Sequence, residues 1–133
     1  MSKKLEHIGI AVRSIEASSK IYRDILETPA YKVEEVMSEK VKTAFYDTGN
    51  TKIELLEPLS EESAIAKFIA KQGEGMHHMA FRVDDIYSEI DRLQKEGYQM
   101  VSDRPKKGAD NMLIAFLHPK TTGGVLIELC QPC

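Results

Sequence analysis

The chain has no tryptophan and only two cysteines among its 133 residues. Both cysteines stand at the C-terminus, as Cys130-Gln-Pro-Cys133. Redox Cys-x-x-Cys motifs usually open a helix, whose dipole lowers the thiol pKa. Here no helix follows, so the pair reads as two incidental thiols in a reducing compartment. Nor is basic charge in excess: 18 lysines and arginines stand against 21 aspartates and glutamates, a net charge of −3. That argues against a general nucleic-acid binder, which needs a basic face to neutralise phosphates, and leaves room for a local basic patch that meets an anionic ligand. No apolar run approaches the ~20 residues of a membrane span. No apolar signal region follows Lys3 and Lys4. A cytoplasmic protein is therefore expected, with no nucleic-acid or membrane partner.

What the chain does contain is a copy of itself. His7-Ile-Gly-Ile-Ala-Val12 matches His78-Met-Ala-Phe-Arg-Val83, and the offset, 78 − 7, is 71 residues. The same offset carries Ile15 onto Ile86 and Ala44-Phe45 onto Ala115-Phe116. Ile53-Glu-Leu55 then matches Ile127-Glu-Leu129, with an offset, 128 − 54, of 74. The three extra residues fit a longer turn between His118 and Gly124. Two copies are too few for an open solenoid.

Each copy reads β-α-β-β-β. Ser14 is the expected helix cap in the first, followed by a stripe of Ile15, Ser18, Ser19, Tyr22, Ile25 and Leu26. Asp84 or Asp85 caps the second, before Ile86, Ile90 and Leu93, and Gly97 ends it. Strands are expected over 31–36, 41–46 and 52–56, and again over 99–102, 113–117 and 125–130. Gly49-Asn50 marks a hairpin. A linking helix is expected from a Ser60 cap, with Glu61 and Glu62 in its first turn and Ile65, Phe68 and Ile69 buried. The expected organisation is one α+β domain. It has a first module over about 4–58, the linking helix over about 60–72 and a second module over about 75–131.

A module of this size buries both faces of its sheet only by pairing. Two paired βαβββ modules would make a concave, partly closed mixed sheet, with equivalent residues facing each other. His7 is equivalent to His78, and Glu54 to Glu128. Strand alternation puts His7 with small Gly9 and Ala11, opposite Ile8, Ile10 and Val12. Glu54 and Glu128 are each flanked by apolar residues of the opposite face. The four residues thus converge as candidate ligands of one divalent metal ion. Two imidazoles and two carboxylates suit Zn, Co, Ni, Mn or Fe. A lone strand histidine or carboxylate is usually structural or solvated. The recurrence of both types at matched positions favours the metal site. His77 alternates to the other face and reads as structural or as support for a ligand. His118 reads as a turn residue with possible access to a substrate.

These residues resemble the vicinal oxygen chelate (glyoxalase) superfamily and, within it, the methylmalonyl-CoA epimerases. The similarity runs over essentially the whole chain. Its more specific strings are Gly49-Asn-Thr-Lys-Ile-Glu-Leu-Leu-Glu-Pro58, the double His77-His78, Leu117-His-Pro-Lys120 and Gly123-Gly-Val-Leu-Ile-Glu-Leu129. The resemblance implies one metal ion per chain, cobalt foremost, held by His7, Glu54, His78 and Glu128. It also implies a homodimer and a CoA thioester substrate. The implied reaction is epimerisation at C2 of methylmalonyl-CoA through a metal-stabilised enolate. Glu128 is the candidate catalytic acid–base group. The family's second glutamate base falls near Lys42 and Thr43, neither of them a carboxylate. A water on the metal, Glu54 or a lysine is left for that role. Lys106, Lys107 and Lys120 are candidates for the CoA phosphates. A lactoylglutathione lyase uses the same scaffold and is the alternative enzyme. An extradiol dioxygenase wants one carboxylate ligand fewer. A non-catalytic small-molecule binder of the superfamily tends to lose ligands or gain aromatics.

Overall fold

The computed structural model describes residues 2–133. Its strands and helices follow in the order β1 (Leu5–Ala11), α1 (Ile15–Leu26), β2 (Lys32–Val36), β3 (Val41–Asp47), β4 (Lys52–Pro58) and α2 (Ala64–Gln72). The chain continues through β5 (Gly75–Arg82), α3 (Ile86–Lys95), β6 (Lys106–Lys107), β7 (Met112–Leu117) and β8 (Ile127–Pro132). Two compact units result, residues 7–77 and residues 2–6 with 78–133. Each carries the β-α-β-β-β order, so the α+β class expected from the repeat is present.

In the first unit the strands lie in the order β2-β3-β4-β1. β1 runs parallel to β4, and β3 is antiparallel to both β2 and β4. Helix α1 covers one face. Ser14 caps it by accepting from the Ala17 N–H at 3.2 Å. Ile15 packs there with Val12, Ala44, Tyr46 and Leu55, and Tyr22 and Leu26 extend the contact. Ile25, expected in this stripe, is 70% exposed. At 100° per residue it lies about a quarter turn from Leu26, beyond the sheet's reach. The β3–β4 hairpin closes with Gly49 at φ 106°, and the Gly49 N–H donates to the Asp47 carboxylate at 2.7 Å.

The second unit orders its strands β5-β8-β7-β6, with β5 parallel to β8. Ile86 and Ile90 of α3 pack against Val83, Ala115, Leu117 and Leu129. The expected strand over 99–102 is reduced to one bridge, Met100 with Leu117. The edge partner of β7 is instead β6, paired as Lys106 with Ile114 and Lys107 with Leu113. Pro105, which has no N–H to give a ladder, immediately precedes β6.

Helix α2 starts later than expected. Its cap is Ser63, which accepts from the Ala66 N–H at 3.0 Å. Ser60 holds the Glu62 N–H at 3.1 Å in the preceding turn, so Glu61 and Glu62 lie outside the helix. No helix among the described residues is long and apolar enough to cross a membrane.

The repeat reappears in a tertiary contact. The Ile15 N–H donates to the Glu57 carboxylate, and the Ile86 N–H donates to the Gln131 side-chain oxygen, each at 2.7 Å. Glu57 and Gln131 each stand three residues after the strand glutamate of their unit. A side chain of the last strand thus satisfies an otherwise unpaired donor at the start of each helix. Because Glu57 is charged, its bond is the stronger. Glu57→Ala should cost about 1.5–3 kcal/mol in urea unfolding, and Gln131→Ala about 1.

Asp85, rather than Asp84, caps α3. Its carboxyl is held below its ordinary range, chiefly by the Ser88 hydroxyl and then by the Ser88 N–H; desolvation opposes this and the Tyr87 N–H adds to it. A lowered folded pKa means that its contribution is complete above the unfolded value of about 3.9. It is lost as pH falls through the lower folded value. Asp85→Asn keeps a capping oxygen that does not titrate. Its unfolding midpoint, measured from pH 5 to 2, should therefore fall less steeply than that of the parent.

Candidate metal centre

In the first unit, register fixes which side chains share a face. Glu54 pairs with Gly9 on one side and Phe45 on the other. His7 lies two residues before Gly9, so it belongs to the same face. This is the face opposite α1. The structure brings His7 and Glu54 together, with Nδ1 and Oε2 3.2 Å apart. Gly9 adds no side chain beside the carboxylate.

The second unit repeats this row by row. Glu128 pairs with Ala80 and Phe116, and His78 lies two residues before Ala80. His78 Nε2 stands 3.1 Å from Glu128 Oε1. The Phe116 ring meets the His78 ring edge-on at 5.5 Å between centroids. Met112, Ile114 and Cys130 complete an apolar floor on this face.

All four residues are buried, with His7 5%, Glu54 4%, His78 7% and Glu128 3% exposed. Carboxylates taken out of water are costly unless a cation or donors compensate them. The donor set suits a divalent ion of intermediate softness. Ligand atoms about 2.1 Å from such an ion and at right angles to one another are about 3.0 Å apart, and a tetrahedral angle makes that about 3.4 Å. The two pair separations fall between these limits. Each His–carboxylate pair therefore has a separation that suits two ligands of one divalent ion.

Other candidates have different surroundings. His77 is half-buried against Phe68 of α2, edge-on at 5.0 Å, and acts as a packing residue there. The imidazole Nδ1 of His118 accepts from the Lys120 N–H at 3.2 Å and caps a short 3-10 turn. Lys106, Lys107 and Lys120 are exposed. Lys42 pairs with Glu57 on the α1 face, away from Glu54, whereas Thr43 is fully buried on the Glu54 face.

Cys130 has no part in a pair with Cys133. It is completely buried, with Sγ 3.6 Å from the Phe81 carbonyl, while Cys133 is exposed and neither forms a disulfide. Strand alternation could have placed Cys130 on the Glu128 face. The eye-catching Cys-x-x-Cys spacing hid it.

Fold and donor pairs define a class, and comparison with known proteins agrees. Residues 6–116 match the model of the Glyoxalase/Bleomycin resistance protein/Dioxygenase superfamily. The chain is 40% identical over 133 residues to the ethylmalonyl-CoA/methylmalonyl-CoA epimerase of Cereibacter sphaeroides, covering 98% of this chain and 99% of that one. It superimposes on the crystal structure of methylmalonyl-CoA epimerase from Mycobacterium tuberculosis with a TM-score of 0.92 and 36% identity, covering 98% of this chain and 88% of that one. A methylmalonyl-CoA epimerase in complex with methylmalonyl-CoA and NH4+ gives a TM-score of 0.92 at 33% identity, covering 100% and 96%. The chain belongs to this superfamily and, within it, to the methylmalonyl-CoA epimerase family.

Proposed function

We propose that this protein interconverts the C2 epimers of methylmalonyl-CoA, and that His7, Glu54, His78 and Glu128 jointly hold one divalent ion per chain, cobalt foremost. The observation that carries the reading is the pair of buried His–carboxylate contacts at equivalent register positions. Full-length similarity to epimerases supports the substrate, and one such relative was crystallised with methylmalonyl-CoA.

The chemistry suits the residues. The C2 hydrogen lies between a thioester and a carboxylate, so its removal leaves an enolate. When bound, the ion supplies Lewis acidity that stabilises the negative charge on the thioester oxygen. Glu128 offers a carboxylate oxygen to take or return the C2 proton on one face. Phe116, Ala80 and Cys130 keep its surroundings apolar, which strengthens electrostatic interactions there. The proton on the opposite face needs a second group, and Glu54 or a lysine is the candidate. Lys106, Lys107 and Lys120 meet the CoA phosphates as point charges. A homodimer completes the proposal.

Incubation of the cobalt-loaded protein with one methylmalonyl-CoA epimer in deuterated water tests it. Deuterium should enter C2 as the epimers equilibrate. Turnover of a glutathione hemithioacetal without C2 exchange would instead establish the lactoylglutathione lyase reading.

A further inference from the structure

Thr43 lies mid-strand in β3 with no exposure, and its Oγ1 has no hydrogen-bond partner. Buried hydroxyls are normally satisfied, and each exception calls for a physical reason. Thr43 pairs with Leu56, while Phe45, two residues on, pairs with Glu54. Thr43 is therefore the diagonal neighbour of Glu54 on the same sheet face. Such neighbours have Cβ atoms within about 7–8 Å. That span is within reach of a glutamate and a threonine hydroxyl turned toward each other.

Packing does not require the hydroxyl. The equivalent residue of the second unit, 71 positions on, is Ile114, which sits in an apolar cluster with Ala80, Met112 and Cys130. Glu54 has two oxygens, and Oε2 faces His7. The last torsion of a glutamate is soft, so its carboxylate can turn toward β3.

We propose that Thr43 is a positioning residue: its hydroxyl donates to the Glu54 carboxylate when that carboxylate holds the metal ion, and so orients the ligand. This rests on the metal-centre reading above. Groups that orient a ligand typically change metal affinity about 10–100-fold when removed.

The test compares the parent with Thr43→Val, Thr43→Ser, Thr43→Ala and Glu54→Ala. Cobalt affinity is read by chelator competition, ligand geometry by the visible spectrum of the cobalt form, and folding by the Tm of the metal-free protein. Thr43→Val should bind cobalt about 10–100-fold more weakly. Its cobalt spectrum should shift, and its metal-free Tm should be unchanged or higher. Thr43→Ser should restore affinity and spectrum. Thr43→Val with parental affinity and spectrum overturns the proposal. If Thr43→Val does not fold, Ser against Ala isolates the hydroxyl, and equal affinities overturn it. A parent that binds no cobalt, or Glu54→Ala that binds it as tightly, defeats the metal-centre reading itself and this proposal with it.

Discussion

Glu128→Gln should lower the rate of C2 proton exchange by about 10²–10⁴-fold, the range expected when a positioned acid–base group is lost. The substitution is nearly isosteric. Glu128 is 3% exposed between Ala80 and Phe116, so a change of volume there would be felt at once. Glutamine retains an oxygen to face His78 Nε2 but cannot accept the C2 proton. Metal content should be measured on the same preparation. Loss of exchange with cobalt still bound identifies the proton-transfer role, and loss of both identifies only the ligand. Exchange should be followed from each epimer separately in deuterated water. An exchange rate within about threefold of the parent, from both epimers, rules Glu128 out as an acid–base group.

The second large effect concerns His78. His78→Ala should weaken cobalt binding by more than about 100-fold, since loss of even a supporting group costs 10–100-fold. It also leaves Glu128 without the imidazole 3.1 Å away in a buried setting. A buried polar group left without its partner typically costs about 1–3 kcal/mol, and more when it is charged. The metal-free variant should therefore unfold at lower urea than the parent. Activity should vanish with the metal. Tight stoichiometric cobalt binding by His78→Ala would contradict the assignment directly.

How far the chain could be read in advance varied with the kind of signal. Ser14 and the α3 stripe of Ile86, Ile90 and Leu93 were legible because helix caps and 3.6-residue periodicity are local. Ser63 was harder to choose than Ser60, since both precede apolar residues at helical spacing. Only the hydrogen bonds separate a turn serine from a cap. The edge strand was misplaced for a different reason. Residues 99–102 do run beside β7, with the Val101 N–H donating to the Phe116 carbonyl at 2.8 Å, but they make no continuous ladder. Edge pairing is settled by non-local contacts that local propensity does not encode.

Returning to the four candidate ligands, the sequence by itself determined their types, their pairing by repeat and their strand faces. Alternation and a near-constant offset are properties of the chain alone, and they placed His7 with Gly9 and His78 with Ala80. Tertiary structure alone decided the rest. Register between strands set Glu54 beside Gly9 and Phe45, and Glu128 beside Ala80 and Phe116. It brought each imidazole to about 3 Å from its carboxylate, a separation fixed by hydrogen-bonded pairing of strands far apart in sequence. It also left the Thr43 hydroxyl unpartnered and buried Cys130 completely. Neither could be inferred from residue type, because burial and hydrogen-bond satisfaction belong to the packed chain.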